Sequence, residues 1–155
     1  PRAIDTVTQI AAFKDVVGLF FGAADSSASL GCKLAWEPLL YARQKVVLAA
    51  AMYNLFTIDA PFFYMDDKEG LKKEAEAVKN LGFTGKAAIH PDQIDFINES
   101  FAPTSEEIAE GKKVLEEYQK SGGGAVKIDG QMVDEPIAEA MRLKISLGEE
   151  EENED

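Results

Sequence analysis

The chain has 155 residues, with 28 Asp plus Glu against 16 Lys plus Arg, one His, one Cys and a formal charge of −12. A hydrophobic content of 46% supplies a real core and excludes wholesale disorder. The acidic balance argues against nonspecific nucleic-acid binding, which draws its affinity from Lys and Arg on phosphates, while leaving room for an anionic small ligand held by local donors.

The charge is unevenly placed. Six acids fall in the last seven residues, 149–155, which read as a disordered acidic tail behind a moderately acidic globular body. The lone Cys32 excludes an internal disulfide framework and a multi-cysteine zinc site, and a reducing cytosol is the expected setting. No apolar run approaches the roughly 18 residues of a membrane span. The start, Pro1-Arg2-Ala3, carries neither an initiator Met nor a leader, so the front edge reads as cut.

Along the chain, Ile4, Val7, Ile10 and Ala11 recur at helical spacing. Val16 to Gly22 is a continuous apolar run, as expected of a parallel strand buried on both faces, and it leads into a small-residue loop, Ala23 to Ser27. Pro38 to Tyr53 reads as a helix. Leu55 to Asp59 is a second strand, closed by Ala60-Pro61. Asp66 and Asp67 are positioned to cap a helix whose Leu71, Ala75, Val78 and Leu81 share one side, with Gly82 as its stop.

Lys86 to Ile89 reads as a short third strand, and Pro91 sits where a helix starts. Thr104 to Glu107 matches a capping box, opening a helix to about Tyr118 that Gly122-Gly123-Gly124 breaks. A last strand, Ala125 to Ile128, is followed by a turn at Asp129-Gly130 and a helix from about Glu135. Alternating strands and helices imply βαβ units on a parallel sheet. Strand starts near residues 16, 55 and 85 suit either an open doubly wound sheet or less than half of a (β/α)8 barrel, which needs about 250 residues.

In both architectures ligands bind at the carboxyl ends of the strands. That rule selects Ala23 to Ser27, Asp59 to Pro61, and Ile89-His90-Pro91. Asp25 is there either a ligand for a hard cation such as Mg²⁺ or a cap on a turn or helix. His90 either lies among backbone N–H groups open to an anion or is a strand-end ring held by a hydrogen bond. Asp59 reads as structural, satisfied by nearby backbone or by an Arg such as Arg43. Asp134, two residues before Pro136, reads locally as an N-cap. Gly85-Lys86 lacks the first Gly and the Ser or Thr of a phosphate loop, and nothing in the sequence brings Cys32 to His90.

Taken in order, Gly18-Leu19-Phe20-Phe21-Gly22-Ala23-Ala24-Asp25, Leu40-Tyr41-Ala42-Arg43 and Thr57-Ile58-Asp59 resemble successive blocks of the citrate lyase beta subunit family. The most specific block is Leu81-Gly82-Phe83-Thr84-Gly85-Lys86-Ala87-Ala88-Ile89-His90-Pro91-Asp92-Gln93-Ile94. Phe101 to Glu107 and Gly130 to Pro136 complete the series, so the resemblance runs from about residue 4 to 147. It implies an α/β chain forming the C-terminal part of a (β/α)8 barrel over residues 1–101, with a helical C-terminal extension over 102–148.

The resemblance further implies a Mg²⁺-dependent carbon–carbon lyase acting on citryl-CoA, citramalyl-CoA or malyl-CoA. Asp25 matches the metal-binding Asp of the family. Ala24, Ile89 and His90 match positions that line the acyl-CoA site. Asp134 matches the acid–base Asp, which the family's homo-oligomers, trimers or hexamers, supply from a neighbouring subunit. The family's Glu metal ligand and substrate-binding Arg belong to a first barrel half absent from this sequence, and Ser26 replaces the usual apolar residue after the metal-binding Asp. Two other readings stand beside the lyase: a noncatalytic subunit that binds CoA esters or serves assembly, and an aldolase for a free 2-oxo acid, against which the Asp134 segment speaks.

Overall fold

The computed structural model describes residues 1–152, and side chains through 146 apart from that of Lys144. The chain divides into two compact units, one of Pro1–Phe101 and one beginning at Ala102. The first contains α1 (Arg2–Asp5), α2 (Val7–Ala11), β1 (Gly18–Phe20), α3 (Ala23–Leu30), α4 (Trp36–Ala51), β2 (Phe56–Asp59), α5 (Lys68–Leu81), β3 (Gly85–Lys86), a 3-10 turn (Pro91–Gln93) and α6 (Ile94–Phe101). The three strands form one parallel sheet in the order β1-β2-β3, with Leu19 beside Thr57 and Ile58 beside Gly85.

The sheet is covered on one face. Phe21, Leu39, Ala42, Val46, Ala49 and Val78 form the main core, with Leu19 packed against it. The apolar positions of α4 recur at helical spacing, and so they bury against the sheet together. On the opposite face Phe20 and Phe56 are 62% and 68% exposed. This corrects the expectation that β1 is buried on both sides: among the described residues nothing lies over Phe20 and Phe56, and the strand shows one buried and one bare face.

Two further boundaries differ from expectation. The run expected as a loop, Ala23 to Ser27, is the start of α3. Its alanines are strong helix formers, and Gly31 terminates the helix in the left-handed conformation at φ 66°. The strand expected over Lys86 to Ile89 ends at Lys86. Ala87 N–H still donates to Asp59 O at 3.0 Å, but Ile89 N–H is taken by the Gln93 side chain, so the chain leaves the sheet there. In α5, Asp67 accepts the Gly70 N–H at 2.8 Å, the expected cap.

The second unit contains α7 (Ser105–Lys120), β4 (Val126–Ile128), β5 (Gln131–Val133) and α8 (Glu135–Glu152). Thr104 and Glu107 form the expected reciprocal capping box. Val114, Tyr118, Ile128, Val133 and Ala138 build this unit's core. Strands β4 and β5 pair as an antiparallel hairpin. Its turn places Asp129 at φ 48° and Gly130 at φ 90°, the consecutive positive φ of a primed two-residue turn. The sequence reading places a turn here and misses β5, although Asp-Gly is itself a hairpin signal. The tail assigned to 149–155 has no described side chain, and 153–155 lie outside the described residues. Among the described residues no helix is long and apolar enough to cross a membrane.

Candidate active site

The carboxyl ends of β1, β2 and β3 share one end of the first unit, and beneath them lies a buried cluster of charge. Arg43 of α4 donates from Nε to Asp59 Oδ1 at 2.8 Å and from Nη2 to Oδ2 at 3.4 Å. Lys86 Nζ donates to Asp59 Oδ2 at 3.1 Å, to Ala60 O at 2.7 Å and to Glu74 Oε1 at 2.7 Å. The Arg43 guanidinium lies 4.7 Å from the Trp36 ring centre and 5.0 Å from that of Phe21, a cation–π sandwich. Two cations facing two carboxylates keep the cluster neutral, the condition for burying charge. It joins the segment after β1 to the ends of β2 and β3. The structural role read for Asp59, with Arg43 as partner, is borne out; the parts played by Lys86 and Glu74 escape sequence reasoning.

Above this base, Ala24 and Asp25 occupy the first turn of α3, and both are exposed. The helix is capped by Gly22, not by Asp25. The Asp25 carboxylate has no hydrogen-bond or salt-bridge partner among the described residues, and Oδ2 lies 3.2 Å from where a Cβ on Gly22 would stand. Glycine at 22 therefore leaves the space into which this carboxylate turns. A free carboxylate at a strand end is a suitable oxygen donor for a hard cation. Among the described residues there is no cluster of three or more His, Cys, Asp or Glu that could hold a metal.

Ile89 and His90 lie at the end of β3, 51% exposed for Ile89 and about half-exposed for the His90 ring. His90 Nδ1 accepts the Asp92 N–H at 3.2 Å, capping the 3-10 turn. Gln93 N–H donates to His90 O at 3.1 Å, and Ile89 N–H donates to Gln93 Oε1 at 3.0 Å. The amides of Ile89, Asp92 and Gln93 are thus spent within the turn, which favours, of the two readings of His90, the strand-end ring held by a hydrogen bond. An open pocket of about 200 Å³ borders the turn, lined by His90, Asp92, Gln93, Tyr64, Asp67 and Leu71 among others.

Asp134 belongs to the second unit. It precedes α8, is half-buried, and accepts the Ile137 N–H at Oδ1 over 3.4 Å, a long capping contact. Beside it Tyr118 OH donates to Gly123 O at 2.7 Å and to Glu135 Oε2 at 3.1 Å. Arg142 Nη1 donates to Glu135 Oε1 at 2.7 Å. The Arg142 and Tyr118 hydrogen bonds hold the Glu135 carboxyl below its ordinary range. Burial, then the bond to Glu135, pushes the Tyr118 hydroxyl above its own.

The fold is of the α/β class, a parallel sheet with helices, and its strand ends, where ligands meet such sheets, carry an unpartnered carboxylate and a structured turn. The sequence profile of the HpcH/HpaI aldolase/citrate lyase family matches residues 1–91, and the chain belongs to this family. It is 34% identical to the citrate lyase subunit beta of Haemophilus influenzae over 92% of its own length and 51% of that protein. It is 35% identical to the mitochondrial citramalyl-CoA lyase of Rattus norvegicus over 90% of its length and 42% of that protein. The crystal structure of CitE from Mycobacterium tuberculosis with magnesium, acetoacetate and coenzyme A superposes with a TM-score of 0.86 at 30% identity. That superposition covers 96% of this chain and 58% of CitE. The chain spans about half the length of the curated relatives it matches.

Proposed function

We propose that the protein bearing this chain is a Mg²⁺-dependent carbon–carbon lyase that splits a 3-hydroxyacyl-CoA thioester of the citryl-CoA, citramalyl-CoA or malyl-CoA type into acetyl-CoA and a 2-oxo acid. The observation that carries the proposal is the unpartnered Asp25 carboxylate at the end of β1, in a family whose relatives include a lyase of that chemistry and a homologue crystallised with magnesium and coenzyme A. Asp25 would hold the Mg²⁺, which when bound supplies Lewis-acid polarisation of the acid partner's oxygens. Ala24, Ile89 and His90 line the acyl-CoA site.

In the cleavage direction the substrate's hydroxyl gives its proton to solvent and becomes the carbonyl of the 2-oxo acid. The electron pair of the broken C–C bond passes to the acetyl thioester as an enolate. Asp134 passes a proton to the enolate carbon, which leaves acetyl-CoA, and takes one back from solvent. Among the described residues the Phe20 and Phe56 face is bare and the outer edges of β1 and β3 are unpaired, which suits burial by further strands, as in a complete (β/α)8 barrel. A homo-oligomer, trimeric or hexameric, would bring Asp134 to a neighbouring subunit's site. A reducing compartment suits the free Cys32; with several relatives mitochondrial by name, the cytosol and the mitochondrial matrix both meet that condition.

The test is incubation of the complete polypeptide with each of the three thioesters and Mg²⁺. The proposal expects acetyl-CoA and a 2-oxo acid in equal amounts from at least one of them. Retention of acetyl-CoA binding with no cleavage of any of the three would favour the noncatalytic CoA-ester-binding reading.

A further inference from the structure

We propose that Gln93 is a positioning residue for the CoA-thioester site, setting the Ile89–His90 backbone against the loop that follows β2. The inference rests on the reading above that Ile89 and His90 line that site. Gln93 is 3% exposed and uses both ends of its carboxamide. Oε1 accepts the Ile89 N–H at 3.0 Å, and Nε2 donates to Phe62 O at 2.9 Å. Its own N–H donates to His90 O at 3.1 Å. Ile89 and His90 are thereby each bonded to Gln93, which in turn is bonded to a residue 31 positions earlier in the chain.

Phe62 does not move freely, because its ring is buried with Leu71 and Ile97 between α5 and α6. The carboxamide therefore transfers the rigidity of that core to the Ile89–His90 segment, whose own side chains stand exposed. Only a group with one acceptor and one donor at this reach satisfies both the Ile89 amide and the Phe62 carbonyl. Gln93 makes no contact with substrate in this scheme; it fixes where the Ile89–His90 segment presents itself.

The test compares Gln93→Leu with wild type in the complete polypeptide, using acetyl-CoA as the binding probe and thioester cleavage for KM and kcat. Leucine keeps the bulk and removes both side-chain hydrogen bonds. A contact made equally in ground and transition states raises KM and spares kcat, so acetyl-CoA Kd and KM should rise about tenfold with kcat within about twofold. Gln93→Glu retains the acceptor for Ile89 N–H and loses the donor for Phe62 O, and should fall between the two; it decides the matter if Gln93→Leu does not fold. Folded variants with wild-type acetyl-CoA affinity and KM would overturn the inference. Failure of wild-type protein itself to bind acetyl-CoA would overturn the underlying reading, a result distinct from the first.

Discussion

Arg43 and Asp59 form an ion pair, 2.8 Å from Nε to Oδ1, with the two side chains 3% and 0% exposed. The pair links α4 to the last residue of β2, and through Asp59 to Lys86 at the end of β3. Charge buried this deeply is held by its partners: removing one leaves the other uncompensated in a medium that cannot solvate it.

Arg43→Met should therefore destabilise the fold by about 3 kcal/mol, the lower part of the range for a broken buried pair, because Lys86 still faces Asp59. Urea unfolding monitored by Trp36 fluorescence would report it, since that ring stacks on the guanidinium. A loss under about 1 kcal/mol would show that the cluster is not the anchor of the strand ends.

Gly22→Ala is expected to act on Asp25 more than on stability. The new Cβ would come within 3.2 Å of Asp25 Oδ2, and the carboxylate is the part free to move. Mg²⁺ activation should require several-fold more metal while the melting temperature stays within a few degrees, as expected for a change of about 1 kcal/mol at a half-buried position. Unchanged Mg²⁺ dependence would show that the position of Asp25 does not matter to metal binding.

Asp134→Asn separates the two roles of that residue. Asparagine caps helices as well as aspartate does, so α8 should keep its stability while turnover falls at least about a hundredfold, the usual weight of a general acid–base group. Acetyl-CoA affinity should stay at the wild-type level. Turnover and binding falling together would assign Asp134 to a structural role.

The second unit should lose stability at acid pH. The Glu135 carboxyl is depressed in the fold by its bonds from Arg142 and Tyr118, so its contribution is fully present above its ordinary value of 4.5 and is lost as pH falls through the lower folded value. Thermal melts from pH 7 down to pH 3 should show an acid limb that Glu135→Gln flattens. An identical limb in both proteins would exclude this carboxyl as a source.

The parallel sheet and its helices are legible in the sequence because each buries one face, which leaves a period in the apolar residues, as at Leu71, Ala75 and Val78. Asp25 and His90 stand out in the sequence as candidates because ligands meet parallel sheets at strand ends. What escapes is fixed by distant partners. Lys86 reads as an ordinary strand lysine until Asp59, 27 residues earlier, accepts its hydrogen bond. Gln93 reads as one more helix residue until it reaches Phe62. The loop expected at Ala23 to Ser27 fails for another reason: small residues suit loops and helices equally, and composition alone does not choose.

The measurement that bears most directly on the proposed chemistry is acetyl-CoA release from the cleaved thioester by wild-type and Asp25→Ala protein across a Mg²⁺ titration, after chelator treatment. Asp25 is exposed and unpartnered, so its loss should leave the fold intact. The wild type should be silent without metal and active with it, and Asp25→Ala should stay inactive or need far more Mg²⁺. Equal activity of the two proteins at every Mg²⁺ concentration would contradict the assignment of Asp25 as the metal ligand of a lyase.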